Sequence, residues 1–351
     1  MRVSSFPVPS EVNRVYRSIS GWVSQKTREL TLHGVTQPRC HPATVSPRYA
    51  PANVDLARAI CHARAMESEW LVGENGLFRG SPARGWTRAG GYPYCVNGIV
   101  RFGAGLVVGT ESGCWYAPPR GRWLQCHDET LTSVLAIAAT PAESQLIAAT
   151  AYGVATAHAS PEAPLPPQEA APRWRWHSDD LGVNGRYSNA LLVDPADELR
   201  WLVGTEAGVL VREHGADRWL YSSLTDRPVR ALCAADGAFW AGTDGGGVWR
   251  SIDGLTWNRA GAGLDDATVY SLAWTGDRLL AGLEGGLAIG DGAGFWKRFG
   301  PGLRVRTVTA GAGSWLAGAS PGGLWYSDDA GGRWRKTGDF VSVRTITRRE
   351  G

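Results

Sequence analysis

One frame recurs seven times in this chain and limits what it can fold into. The frame is an apolar strand ending in a small residue, a short polar turn, a Gly, a second apolar strand and then a Trp. Its copies read WLVGENGLFRG from Trp70, LVVGTESGCWY from Leu106, LIAATAYGVAT from Leu146 and WLVGTEAGVLV from Trp201. FWAGTDGGGVWRS from Phe239, LLAGLEGGLAIG from Leu279 and WLAGASPGGLWYS from Trp315 complete the set. The strand-ending residues Gly73, Gly109, Ala149, Gly204, Gly242, Gly282 and Gly318 are spaced by 36, 40, 55, 38, 40 and 36 residues. The long interval holds SPEAPLPPQEAAP (160–172), whose prolines exclude a strand and mark an inserted surface loop.

Each copy is preceded by a further short apolar segment. VLAIAA (134–139), VRALCA (229–234), VYSLAW (269–274) and VRTVTA (305–310) share one pattern; ARAICHA (57–63), VNGIVR (96–101) and SNALLV (188–193) follow it more loosely. After each copy comes Trp86, Trp123, Trp174 or Trp176, Trp219, Trp257, Trp296 or Trp334, opening a last strand. Four short antiparallel strands repeating about every 40 residues are a propeller blade, because a lone blade cannot bury both of its faces. The composition agrees: 46 Gly, 17 Trp and 43% hydrophobic residues suit an all-β protein with many tight turns and a sizeable core. The expected fold is a single β-propeller over residues 51–351, with 1–50 as an N-terminal extension. Its closure has two readings. VSVRTIT (341–347) is an eighth copy of the first strand with nothing after it, so either seven blades close, or N-terminal segments within 14–34 complete an eighth. Seven is the favoured number.

Two of the turns between the third and fourth strands carry a signature. Ser327-Asp328-Asp329-Ala330-Gly331-Gly332-Arg333-Trp334 has the form S-x-D-x-G-x-x-W, and Ser251-Ile252-Asp253-Gly254-Leu255-Thr256-Trp257 is the same with one residue deleted. Gly290 to Trp296 keeps the Asp and the Trp without the Ser. The repeat thereby resembles the Asp-box, or bacterial-neuraminidase-repeat, propellers: sialidases, sortilin-type receptor domains, xyloglucanases and photosystem assembly factors. The resemblance covers roughly residues 56–347. It implies architecture more than activity, since the repeat serves many functions. It also implies that Ser251, Asp253, Trp257, Ser327, Asp329, Gly331 and Trp334 are structural, the Asp accepting backbone N–H bonds within its turn and the Trp packing in the blade.

Two sets of residues are candidates for binding. Glu74, Glu111, Glu206, Asp244 and Glu284 stand in the turns after the second strand, where an acidic ring could take a cation or a basic partner. The plainer reading is that acidic residues suit a solvated hairpin turn before Gly. Arg58, Arg230, Arg306 and Arg344 stand on first strands, where they would pair with that rim or bind an anion; the alternative is that they snorkel between blades. An arginine patch is also what the resemblance to photosystem assembly factors implies.

No catalytic constellation emerges. The Arg-Ile-Pro motif of sialidases is absent, His33, His158, His177 and His214 lack telling companions, and the Gly clusters sit in hairpins rather than at helix starts. The six cysteines form no CxxC pair, and no metal or cofactor is expected. With a net charge of +3, nucleic acid is an improbable partner, although Arg173-Trp174-Arg175-Trp176 and Arg333-Trp334-Arg335-Lys336 interleave basic and aromatic residues. No stretch is apolar enough to span a bilayer and no secretory h-region opens the chain, so a cytoplasmic location with free thiols is expected. The leading expectation is a non-catalytic protein–protein interaction platform, the insertion at 160–172 being one docking candidate. The alternative is a carbohydrate-binding or glycoside-hydrolase-like propeller using Trp115, Trp249 and Trp325.

Overall fold

Four of the seven copies of the frame close their hairpin with a Thr at the end of the strand before the turn. Thr110, Thr150, Thr205 and Thr243 are buried there. Each donates its hydroxyl to a carbonyl across the turn, Thr205 Oγ1 to Gly208 O at 3.0 Å and Thr243 Oγ1 to Gly247 O at 2.9 Å. Gly then re-enters the sheet with a positive φ, 130° at Gly208, which a side chain would strain. The computed structural model describes residues 69–349 except 91–93, 121, 128–130, 143–144, 159–173, 180, 183–184, 186, 214–217 and 312. All of them belong to the unit Val54–Gly351. The N-terminal extension 1–50, the segment 57–63 with Arg58, and the insertion 160–172 lie outside the described residues.

The described residues form seven four-stranded antiparallel sheets and no helix. Strands are numbered in chain order. Second strands are β1 (Glu69–Glu74), β5 (Gly105–Thr110), β9 (Gln145–Thr150), β13 (Asp197–Thr205), β17 (Ala238–Thr243), β21 (Leu279–Leu283) and β25 (Ser314–Ala319). First, inner strands are β4 (Val96–Phe102), β8 (Val134–Ala139), β12 (Ser188–Asp194), β16 (Val229–Ala235), β20 (Val269–Trp274), β24 (Val305–Gly311) and β28 (Thr345–Arg349). The third and fourth strands complete each sheet outward, from β2 (Gly76–Ser81) and β3 (Gly85–Arg88) to β26 (Gly323–Ser327) and β27 (Arg335–Thr337).

The chain is a seven-bladed β-propeller, with the inner strands adjacent around a ring. The inner place of the first blade is taken by the end of the chain. β28 pairs with β1, Thr345 opposite Gly73 and Arg348 opposite Trp70. The copy at 341–347 is therefore the missing inner strand of the first blade, and the ring closes by joining late residues to early ones.

Blades meet through a repeated lock. In six blades the Gly near the end of the second strand faces the Val at or just before the start of the next inner strand; in the third blade the residue is Ala149 and the next inner strand opens with Ser188. A Cβ on Gly109 would stand 2.5 Å from Val134 Cγ1, and one on Gly242 2.6 Å from Val269 Cγ1. Gly is required there because no side chain fits between the strands. At the outer edge the Trp of the fourth strand reaches back to the preceding blade. Trp86 Nε1 donates to Thr337 Oγ1 at 2.9 Å, Trp219 to Asp179 Oδ2 at 3.1 Å, and Trp296 to Ala260 O at 2.7 Å. In the third blade this role falls to Trp176, which donates to Cys126 O at 2.8 Å.

Candidate functional site: the mouth of the central channel

Six inner strands carry the same irregularity. Between Val229 and Ala231 the pairing with β17 slips by one residue, and Arg230 is left without a place in the ladder. The same bulge sets aside Asn97, Leu135, Asn189, Tyr270 and Arg306 in their blades. A bulge bends its strand and re-aims the extra side chain, and here the extra residues turn into the central channel. In the first blade Arg344 takes this position just before β28, its N–H donating to Gly73 O at 2.9 Å. These seven side chains surround a cavity of about 370 Å³.

Sequence reasoning brought Arg230, Arg306 and Arg344 to this ring and missed Asn97, Asn189 and Tyr270. The signal was present, since all follow the residue that opens the inner strand, but only the charged members stood out.

The carboxylates behave differently from one another. Glu206 accepts from Arg230 Nη1 at 2.7 Å and from Asn189 Nδ2 at 3.1 Å. Asp244 accepts from Arg230 Nη2 at 3.0 Å and from Thr268 Oγ1 at 2.7 Å. One guanidinium thus joins the turns of two blades. The Thr268 bond, with help from Arg230, holds the Asp244 carboxyl below its ordinary range. Glu284 accepts from Arg304 Nε at 2.8 Å and from the Tyr270 hydroxyl, and Arg304 is the larger cause of its lowered pKa. Glu111 accepts the backbone N–H of Cys95 at 3.4 Å. Glu74 sits one register earlier than the other four, because the first blade's turn is a residue shorter: Glu74 pairs with Gly76, whereas Thr110 pairs with Gly113. Its Oε1 accepts the N–H groups of Val341 at 2.6 Å and Ser342 at 2.7 Å, which secures the approach to β28.

Two arginines at the mouth lack such partners. Arg306 lies over the Tyr270 ring, 4.7 Å from its centre, and Arg344 donates to Asn97 Oδ1 at 3.3 Å. Neither has a carboxylate partner among the described residues. Burial first, and then the charges of Arg344, Arg304 and Arg230 against an opposing effect of Tyr270, lower the pKa of Arg306. The channel mouth therefore has a neutralised side at Arg230 and an open, cationic side at Arg306 and Arg344.

The Ser-x-Asp turns lie at the opposite ends of the blades. Asp253 Oδ1 accepts the N–H groups of Leu255 at 2.9 Å and Thr256 at 2.7 Å, and the Ser251 hydroxyl at 2.9 Å. These bonds, Thr256 first, pull its carboxyl down to about 2. Asp329 accepts from Arg333 N at 2.8 Å and Ser327 Oγ at 2.8 Å, while Gly331 N donates to Ser327 Oγ at 2.8 Å. Trp257 is buried and Trp334 packs against Phe299. Asp291, in the turn without Ser, still accepts from Ala293 N and Gly294 N. Of the third-strand tryptophans, Trp115 is buried and stacks on Tyr94, while Trp249 lies beneath the guanidiniums of Arg227 and Arg259. Among the described residues, no cluster of His, Cys, Asp and Glu could hold a metal, and no helix is long and apolar enough to cross a membrane.

No protein-family model matches the chain, and no curated protein matches it significantly. Solved structures do resemble it. The extracellular domain of BT4673 from B. thetaiotaomicron superposes with a TM-score of 0.58 at 16% identity, over 74% of this chain and 38% of that one. The chain thus spans well under half of that protein's length. YCF48 bound to D1 peptide gives a TM-score of 0.55 at 17% identity, over 74% of this chain and 87% of that one. An ancestral GH74 enzyme gives 0.52 at 15% identity, over 74% and 38%. At these identities the likeness concerns the fold, a propeller that serves proteins of mixed function.

Proposed function

We propose that the protein is a non-catalytic interaction platform that holds an acidic segment of a partner protein at the channel mouth. One observation carries this reading: Arg306 and Arg344, on neighbouring inner strands, face the channel with no carboxylate of their own. Guanidinium groups are the side chains best matched to a carboxylate, which they take through two parallel N–H bonds. Asn97 and Asn189 supply side-chain amides on the same ring. The solved complex of a fold relative, YCF48, with D1 peptide supports a peptide as the class of ligand.

The Ser-x-Asp turns support placing the repeat in the Asp-box superfamily as a structural variant, because both boxes use their Asp on backbone N–H groups. A glycosidase needs one carboxyl held protonated near neutral pH. At this mouth Asp244 and Glu284 are both shifted the other way, which favours binding over hydrolysis. Cys95, Cys114, Cys126 and Cys233 are free thiols, in keeping with a reducing, cytoplasmic compartment.

The test is an affinity capture from the native host with the parent protein and the Arg306→Ala/Arg344→Ala double variant, followed by mass spectrometry. A stoichiometric partner recovered by the parent and depleted at least tenfold with the variant is the expected result. A partner retained equally by both would move the docking surface away from the mouth, and capture of none would sink the platform reading.

A further inference from the structure

The interface between the first and second blades differs from the other six. Three residues before the strand-ending small residue, each second strand sends a side chain toward the preceding blade. Trp70, Leu146, Trp201, Phe239, Leu279 and Trp315 fill this position and are 0–7% exposed. In the second blade the position is Leu106, which is only half-buried. The two other interfaces with a Leu here are filled by a neighbouring ring. Trp174 packs 5.4 Å from Phe102 between the second and third blades, and buried Trp240 lies with Leu279 between the fifth and sixth. Trp115, Trp123 and Tyr94 belong to the same cluster as Leu71 and Leu106, but none of these rings lines the space beside Leu106.

A second, independent change adds charge to the same gap. The third residue after the turn Gly of each third strand faces the next blade; Tyr116, Val211, Ile289 and Tyr326 pack there with apolar clusters, and Arg250 of the fifth blade lies over the Trp240 ring. In the first blade it is Arg79, which is exposed and has no ion-pair partner among the described residues. A smaller apolar residue on one wall and a cation on the other leave a cleft of about 350 Å³. Leu71, Leu77, Ile99 and Leu106 form its apolar floor. Arg79, Arg101, Arg348 and Arg349 stand around it, Arg349 being paired with Glu69, and no carboxylate is among its lining residues. The Ala104-Gly105 turn and the end of β28 place its opening at the opposite end of the blades from the channel mouth.

We propose that this cleft is a binding site for a small amphipathic anion. An apolar body seats on Leu71, Leu77, Ile99 and Leu106, and an anionic head meets Arg79. The volume falls within the usual range of about 300–1,000 Å³ for small-molecule sites, and an apolar floor with a few convergent charges is how such sites are built. An apolar body alone would leave Arg79 without an anion, and a bare anion would leave the floor wet.

The probe is 8-anilinonaphthalene-1-sulfonate, titrated against the full chain and displaced by decanoate in one arm and 3-phenylpropionate in the other. Saturable single-site fluorescence is expected, displaced by at least one acid; the acid that displaces it separates an aliphatic from an aromatic ligand. Leu106→Trp, which restores the side chain that blades one, four and seven carry here, should weaken binding at least tenfold without lowering the melting temperature. Arg79→Glu, a surface change that leaves the floor intact, should weaken it at least fivefold and reduce its salt dependence. The channel variant Arg306→Ala/Arg344→Ala should bind the probe as the parent does, so that failure here is distinguishable from failure of the platform reading. Absence of saturable binding, displacement by neither acid, or unchanged affinity in both cleft variants would overturn the proposal.

Discussion

The two ends of the blades use carboxylates in opposite ways. At the Ser-x-Asp turns Asp253 and Asp329 are held by backbone N–H groups a few residues away, so their partners come with the turn itself. At the channel mouth Glu206, Asp244 and Glu284 are held by arginine and tyrosine side chains from neighbouring strands and blades. The first kind of site forms wherever its short sequence occurs. The second depends on which residue each blade offers at the bulge, and it changes around the ring from a clamped arginine to two open ones. The same residue type is thus architectural at one end, whereas at the other Glu74 and Glu111 hold backbone and Glu206, Asp244 and Glu284 are adjustable.

Substitutions can break this contrast at known points. Asp253→Ala removes the acceptor of two backbone N–H groups and should destabilise by about 1–2 kcal/mol, as loss of a helix-capping side chain does; urea unfolding measures it. A loss indistinguishable from that of Asp244→Ala would mean the two ends are not different. The acid limb gives a second check. The folded pKa of Asp253 is lowered to about 2, so its stabilisation is complete above the unfolded value near 3.9 and is lost as pH falls toward 2. Melting temperatures between pH 5 and pH 2 should fall less steeply for Asp253→Asn than for the parent.

A smaller effect, of opposite sign, is expected at Ala330. Its φ is 57°, in the left-handed region; the shorter box lacks this residue, its Gly254 (φ 76°) answering to Gly331 (φ 88°). Relief of that strain exceeds the added unfolded-state entropy of a glycine only modestly, so Ala330→Gly should stabilise by about 0.5 kcal/mol. Calorimetry showing a lower melting temperature would remove the strain argument. Smallest of all, Arg230→Gln should change stability by less than about 1 kcal/mol, because the pairs with Glu206 and Asp244 are solvent-accessible. A larger loss in the same unfolding assay would make the clamped side of the mouth structural too.

Much of the architecture was legible in the chain. VRALCA, VYSLAW and VRTVTA became β16, β20 and β24 with nearly the boundaries their alternation implied, and the strand-ending glycines are where blades press together. Trp176, rather than Trp174, opens the last strand of the third blade after the insertion, a choice that residue order alone left open. Glu74 shows the limit of pattern matching. It looks like the other four acidic turn residues, yet a turn shortened by one residue shifts its register and gives it to the backbone of 341–342.

Local spacing determined the blade, its tight turns, its Ser-x-Asp contacts and the count of seven frames, because each of these rests on residues within about 40 positions of one another. The tertiary structure decided how the ring closes, which side chains share the channel and which arginines go unpaired. Those outcomes join strands from different blades, and in the case of β28 and β1 opposite ends of the described chain. Tyr270 and Arg306 meet only because two bulges in adjacent strands turn them to the same axis. A repeat can state what every blade has in common, whereas the binding surfaces arise from the positions at which the blades differ and the neighbours that the closed ring gives them.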